Sequence, residues 1–429
     1  MSSLRAEGFP EAAVRERARS GAAAAFPDPG DYGRGLFGAD PEQPGCSGDL
    51  LDRLRLVPPV FVPHRLEQLV ELAREPTYRD VRLDTVVGGL RSTLPVYVSA
   101  FGSTEAASLE LGLAVSRQAG RLGIPMVVGE NVMPVKGYGR IGEERAGRSM
   151  LGRIRAYLAH LLDGYGGVVI QQSTEDADAE VWNLVYSDPN VQSLLESGRL
   201  AFELKVGQGA KPGLGGMTLL DTATAARLAG AFAMDPVFGG RTDAVLRCSS
   251  PGTFTDEILR QQVRLMRNNF PRAGIWVKLP PARDVRAAAA VAWEAGADAV
   301  TVDGAEAGTG WAPVSFLQHV GLPLGECLRR IGTHPGCLLV SGRVWEGTRA
   351  AKCLALGAGA VGLGRAALLA ADTDQDHGLV NLLECLALEL QMLTSALGKY
   401  HVGTLAAEDV WSPEWQVGDG VCSTEAVTS

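Results

Sequence analysis

Two short turns in this chain, Ser341-Gly342-Arg343 and Gly362-Leu363-Gly364-Arg365, each place an arginine directly after small residues. Bare backbone N–H groups beside a guanidinium at the start of a helix suit a phosphate dianion. The helix end contributes about 0.3–2 kcal/mol, and charge-assisted hydrogen bonds add to it. One such turn reads equally well as a tight loop with its arginine in solvent; two in succession favour the phosphate. A third stretch, DGAEAGTGWAP from Asp303 to Pro313, supplies Asp303, Gly304, Gly308, Thr309 and Gly310. Its small side chains let a flat ligand or a phosphate approach the backbone closely.

Lysine is scarce, with six in 429 residues, yet two fall in FELKVGQGAKPGLGG, Phe202 to Gly216. Apolar residues alternate with Glu203 and Lys205, and glycines then surround Gln208 and Lys211. Lys278 stands in the apolar run GIWVKLP. A lysine there is costly to bury unless it faces an anion or a polar ring. A Schiff-base lysine and one that extends to solvent are the other two readings. Ser99, Glu130 and Gln172 end further apolar runs. The motifs HExxH, GxSxG and GxxxxGK[ST] are absent, and Lys211 is followed by proline. The six histidines form no metal-ligand pair at helical spacing, and no metal is expected.

These residues need elements to position them. From residue 94 short apolar runs alternate with Ala/Leu-rich helical stretches: 94–100, 124–130, 167–173, 202–207, 274–280, 298–304, 337–343 and 359–365. Near-continuous apolar strands alternating with helices imply a parallel sheet covered on both faces. Eight of them over 94–370 fit a (β/α)8 TIM barrel, whose active site lies at the C-terminal ends of the strands. The rival is an open doubly wound sheet; against it, no GxGxxG follows the first strand. Residues 1–93 read as an irregular arm with a lead-in hairpin in VRLDTVVGGLRSTLPV. Residues 371–429 read as a C-terminal helix over 378–400 and a disordered tail after 416. DAVLRCSSPGTF is expected to be a loop inserted over the barrel mouth rather than a ninth strand.

Composition narrows the function. The net charge of −9 and pI near 5.3 argue against a nucleic-acid or anionic-membrane surface. Seven cysteines without a CxxC pair suggest reduced thiols. With no apolar leader or run of eighteen apolar residues, a cytoplasmic protein is expected, homo-oligomeric or not.

GQGAKPGLGG, VDGAEAGTGWAP with HVGLPL after it, SGRV and ALGAGAVGLGRA resemble, in order and spacing, the FMN-binding synthase domain of glutamate synthase. VGEN takes the place of that family's TGEG, and the similarity covers roughly residues 80–370. The C-terminal LECLALELQMLTSALGKYHVGTLAAEDV resembles the ending of short stand-alone members. The resemblance implies a barrel carrying FMN, with its phosphate on Ser341, Gly342, Arg343, Gly364 and Arg365 and with Gly362 beside them. It further implies Lys278 at the flavin N1/O2 edge, Gln172 and Ser99 flanking the ring, and the Asp303–Gly310 loop completing the pocket. By the same resemblance Glu130, Gln208 and Lys211 would hold a 2-oxo acid or amino acid substrate.

Departures from the family pattern matter equally. Met217 stands where the family's loop continues with glutamine, and CSSPGTF replaces SPPxHH. GRAALLAADTDQDHGLV carries none of the iron–sulfur cysteines, and no glutaminase half with a leading cysteine is present in the chain. The expected activity is an FMN-dependent oxidoreductase acting on a small amino acid, imine or related C–N substrate by hydride exchange with flavin N5. An external electron donor or acceptor is then required. The alternatives are a redox-neutral flavin-dependent isomerase or lyase, and a synthase-domain subunit of a multi-chain complex.

Overall fold

The computed structural model describes residues 4–22, 49–101, 110–129, 150–173, 179–207, 209–229, 233–235, 244–248, 252–309, 312–313, 316 and 319–413. All eight expected strands form. They are β1 (Val96–Val98), β2 (Met126–Val128), β3 (Val168–Ser173), β4 (Leu200–Lys205), β5 (Gly274–Leu279), β6 (Ala299–Asp303), β7 (Cys337–Ser341) and β8 (Ala360–Leu363). Every neighbour pairs in parallel in chain order, and β8 returns to β1, so the sheet is a closed barrel rather than an open one.

Strand alternation explains why these runs read as continuously apolar. In β5, Ile275, Val277 and Leu279 join the core between barrel and helices, while Trp276 joins a separate inner cluster. Tyr97, Val127, Val169, Ala201, Ala299, Leu339 and Ala360 complete that inner cluster from the other seven strands. Both faces are therefore buried, as a parallel barrel requires. The helices supply the outer layer by ordinary means. Asp256–Asn269, for example, starts where the Thr255 side chain accepts a hydrogen bond from Ile258 N, and it buries Leu259, Val263 and Met266 at helical spacing.

The hairpin expected before the barrel closes its floor. Thr85–Val87 pairs antiparallel with Leu90–Ser92 across a Gly88-Gly89 turn, both glycines having positive φ (55° and 90°). Such two-residue turns match the strand twist. Val87 and Leu90 enter the inner cluster, and the Trp276 indole N–H donates to the Gly88 carbonyl at 2.9 Å. A side chain at Gly88 would run into the Trp276 ring.

DAVLRCSSPGTF is corrected by the structure. Ala244–Cys248 is a strand, paired antiparallel with both Met217–Asp221 and Ala233–Asp235 in a three-stranded sheet outside the barrel. The segment satisfies its backbone hydrogen bonds within its own insertion, so it needs no place in the barrel.

Parts of the expected arm lie on the barrel. Glu11–Ser20 packs against Arg365–Thr373 and Gly378–Ala396, and Leu50–Arg53 packs against Leu324–Ile331 and Gly347–Ala355. The C-terminal helix runs Gly378–Ala396, with Gly398 at positive φ just beyond it. By length and composition it could cross a membrane, but it buries Leu379, Leu382, Leu383, Leu386 and Leu390 against its neighbours. The expected tail after 416 lies outside the described residues.

Candidate active site at the barrel mouth

The C-terminal strand ends gather an unusual number of buried polar groups. On β5 and β6, Lys278 and Asp303 form an ion pair at 2.9 Å, both nearly buried. Asp303 Oδ1 also accepts from Ser341 Oγ, its register partner on β7. Lys205 of β4 is the register partner of Lys278 and is buried beside it on the inner face. Ser99, just past β1, buries its hydroxyl without a hydrogen bond of good geometry among the described residues. Gly362 lies against Ser99 and Tyr97, where a side chain would collide with both.

The two arginine turns sit on adjacent strands. Arg343 follows Gly342 with φ of 55°, a strained value for a residue with a side chain. Arg365 opens the helix Arg365–Thr373, whose N-cap is Gly364, a residue with no side chain to cap it and, among the described residues, with no atom close to where a Cβ would stand. Arg365 is held by the Glu306 carbonyl at 2.6 Å and by the Phe9 ring at 4.6 Å. Burial first, and then the like charge of Arg343, push its guanidinium down to about 10. Two neighbouring guanidiniums beside a helix start are donors of the kind that suit an anion. Gly308 packs flat against the Arg365 side chain, which a larger residue would displace. Thr309, next in that loop, is half-buried.

Behind this cradle lies a charged cluster absent from the sequence reading. Arg349 reaches Asp49 at 2.7 Å, Asp52 at 3.0 Å and Glu306 at 2.5 Å, and it donates to the Gly342 carbonyl at 3.0 Å. Asp52 also stands 3.6 Å from Arg343. Backbone N–H groups of the helix Leu324–Ile331 donate to Glu306 and Asp49. One guanidinium shared by three carboxylates cannot neutralise them all. Burial therefore wins at Glu306, whose carboxyl is pushed up to about 7 against the pull of Arg349, while the carboxylates hold the Arg349 guanidinium above its ordinary value.

The loop after β4 folds over the same mouth. Gly209 lies against Asp303, Gly304 and Ala307, and Gly321 fits beside Pro212 and Ala305. Lys211 is thereby carried into the mouth region and buried. Glu130, Gln208 and Gly310 lie outside the described residues. Gln172 is placed differently from the expectation. Strand alternation turns Gln171 inward and Gln172 toward the helix layer, and the Gln172 amide donates to the Gln171 carbonyl.

Sequence reasoning missed the roles of Glu203 and Thr301; of the pair Gln171-Gln172 in the third apolar run, it assigned the ring to Gln172. Glu203 is fully buried inside the barrel, accepting from Gln171 Nε2 and Thr301 Oγ1. The signal was in FELKVG: if Phe202 and Leu204 face the helices, Glu203 and Lys205 must both face the interior.

With this geometry in view, comparison with known proteins places the fold in a lineage. Residues 164–378, half of the chain, match the conserved region in glutamate synthase. The chain belongs to that family. The family region runs from the approach to β3 through β8 and the helix Arg365–Thr373 to the start of the C-terminal helix. An archaeal-type glutamate synthase [NADPH] of Dehalococcoides mccartyi is 32% identical over 185 residues, covering 41% of this chain and 36% of that protein. A glutamate synthase large subunit-like protein of Rhizobium meliloti is 30% identical over 264 residues, covering 49% of this chain and 58% of that one. The chain thus spans little more than a third of the first relative's length and somewhat over half of the second's. The recombinant flavin-binding domain of baker's yeast flavocytochrome b2 superposes with a TM-score of 0.53 at 18% identity, over 84% of this chain and 76% of that one. That last likeness is one of fold.

Proposed function

We propose that the chain is an FMN-dependent oxidoreductase acting on the C–N bond of a small amino acid, imine or related substrate. The observation that carries this reading is the pairing of Arg343 and Arg365 at an uncapped helix start, with the Lys278–Asp303 pair across the same mouth. Membership of the glutamate synthase family agrees with it.

The residues fit the cofactor on their own chemistry. Arg343, Arg365 and the backbone N–H groups at the helix start after Gly364 would hold the phosphate, and the buried Ser99 hydroxyl, past the end of β1, would meet a polar edge of the ring. Bound there, FMN supplies the capacity to accept a hydride. Lys278 holds a fixed positive charge at the mouth, oriented by Asp303, which Ser341 in turn orients. Lys211, on the loop that covers the mouth, offers an ammonium to a carboxylate of the substrate. These side chains are buried, and the low-dielectric surroundings strengthen each of their electrostatic contacts.

The test is direct. The purified protein, reconstituted with FMN, should be yellow with the two absorption bands of bound flavin. Anaerobic addition of amino acids one at a time should bleach the visible band for a substrate and form product in equal amount. A reconstituted protein that retains no flavin refutes the reading. Turnover that needs reduced flavin but consumes no electrons would move it to an isomerase or lyase.

A further inference from the structure

Glu203 is a buried carboxylate for which the proposed chemistry has no use so far. It faces the interior from β4, level with Trp276 on β5, and is 1% exposed. Its Oε2 accepts from Gln171 on β3, and its Oε1 accepts from Thr301 on β6. Strand β5 lies between β4 and β6, and Thr301 is level with Lys278. The Glu203–Thr301 bond therefore crosses β5 between its two inward side chains, with Trp276 on the floor side and Lys278 on the mouth side. Since Trp276 is locked to the floor hairpin through Gly88, the carboxylate faces water from neither end.

Burying an ion so completely costs several kcal/mol unless partners compensate. Here both oxygens are hydrogen-bonded, Oε2 to the Gln171 amide and Oε1 to the Thr301 hydroxyl, which compensates part of that cost. Burial pushes the Glu203 carboxyl up, and the Lys278 charge, with Thr301 and Gln171, opposes that push. Lys278 is thus attracted by two carboxylates: Asp303 beside it at 2.9 Å and Glu203 one layer below.

We propose that Glu203 is a positioning residue for Lys278, sharing its positive charge with Asp303 and so setting how much of that charge is offered to a ligand in the mouth. The inference rests on the FMN reading of the site. Reduced FMN carries more negative charge than oxidised FMN, so a Lys278 relieved of one carboxylate should favour the reduced form.

The experiment is titration of FMN, oxidised and then dithionite-reduced, into apo-protein of the wild type and of Glu203→Gln. The glutamine keeps the side chain's shape and removes its charge. Affinity for oxidised FMN should stay within about twofold, while affinity for reduced FMN rises about tenfold; for a two-electron couple that is a midpoint about 30 mV higher. Should Glu203→Gln fail to fold, Glu203→Met removes the same charge with a side chain of similar length and should shift the ratio in the same direction. A reduced-to-oxidised affinity ratio unchanged from wild type, or shifted the opposite way, overturns the proposal, because loss of a purely structural contact would weaken both forms alike. A wild type that binds neither form refutes the cofactor reading itself, and this inference with it.

Discussion

Arg349 and Asp49 stand 300 residues apart in the chain and 2.7 Å apart in the fold. Through this contact the segment before the barrel reaches the turn that carries Arg343. Asp49 and Asp52 come from the N-terminal side, Glu306 from the loop after β6, and all three converge on one guanidinium that also holds the Gly342 carbonyl. The candidate phosphate cradle is therefore braced by chain that lies outside the strand–helix repeat.

Removing that brace should be expensive. Arg349→Met leaves Asp49 and Glu306 buried without their cation, a loss of the kind that costs about 3–5 kcal/mol. The urea midpoint should fall accordingly with the slope of the transition unchanged. A midpoint within experimental error of the wild type would mean that the cluster is not a structural brace.

Glu306 should make stability depend on pH in a direction opposite to most carboxylates. Its folded carboxyl is raised to about 7, above its ordinary 4.5. Below about pH 4.5 it is protonated in both states and its contribution to stability is fully present. As pH rises toward 7 the unfolded chain has lost this proton while the folded chain still holds it, so that contribution drains away, by up to about 3 kcal/mol. Glu306→Gln should remove this slope. The check is the difference in unfolding free energy between wild type and variant across pH 4.5 to 7; a constant difference contradicts the assignment.

Arg365 separates phosphate binding from ring binding. Arg365→Gln removes a guanidinium at the uncapped helix start, and loss of hydrogen bonds to a charged group costs about 1.5–3 kcal/mol. FMN affinity should fall about 10- to 100-fold. Riboflavin, which lacks the phosphate, should bind wild type and variant equally. Parallel losses for both ligands would place the phosphate elsewhere.

The barrel was legible in the sequence because its strands are buried on both faces and its helices alternate with them at regular spacing. The mouth residues were legible for a related reason: glycines beside Arg343, Lys211 and Arg365 interrupt apolar runs at the strand ends. Three features were not. Arg349 and Asp49 look like ordinary helix and loop charges until the fold joins them, and no local pattern encodes a contact across 300 residues. Gln171 and Gln172 are chemically identical neighbours, and only the strand register decides which one faces inward. Ala244–Cys248 reads as a loop outside the barrel, and what makes it a strand is the antiparallel partner Met217–Asp221 within its own insertion.

Lys211 tests whether the loop over the mouth meets substrate or cofactor. It is buried on the loop whose Gly209 packs against Asp303 and Gly304 at the mouth end of β6. Lys211→Ala should leave the flavin spectrum and FMN affinity as in the wild type. The loss of one charge-assisted contact to a substrate carboxylate, about 1.5–3 kcal/mol, should raise KM about 10- to 100-fold. If the contact is equal in the bound substrate and in the transition state, kcat stays unchanged; a fall in kcat at constant KM would show that the lysine acts on the reacting centre instead. Loss of flavin from the variant would assign Lys211 to the cofactor and leave the substrate's anion without its proposed partner.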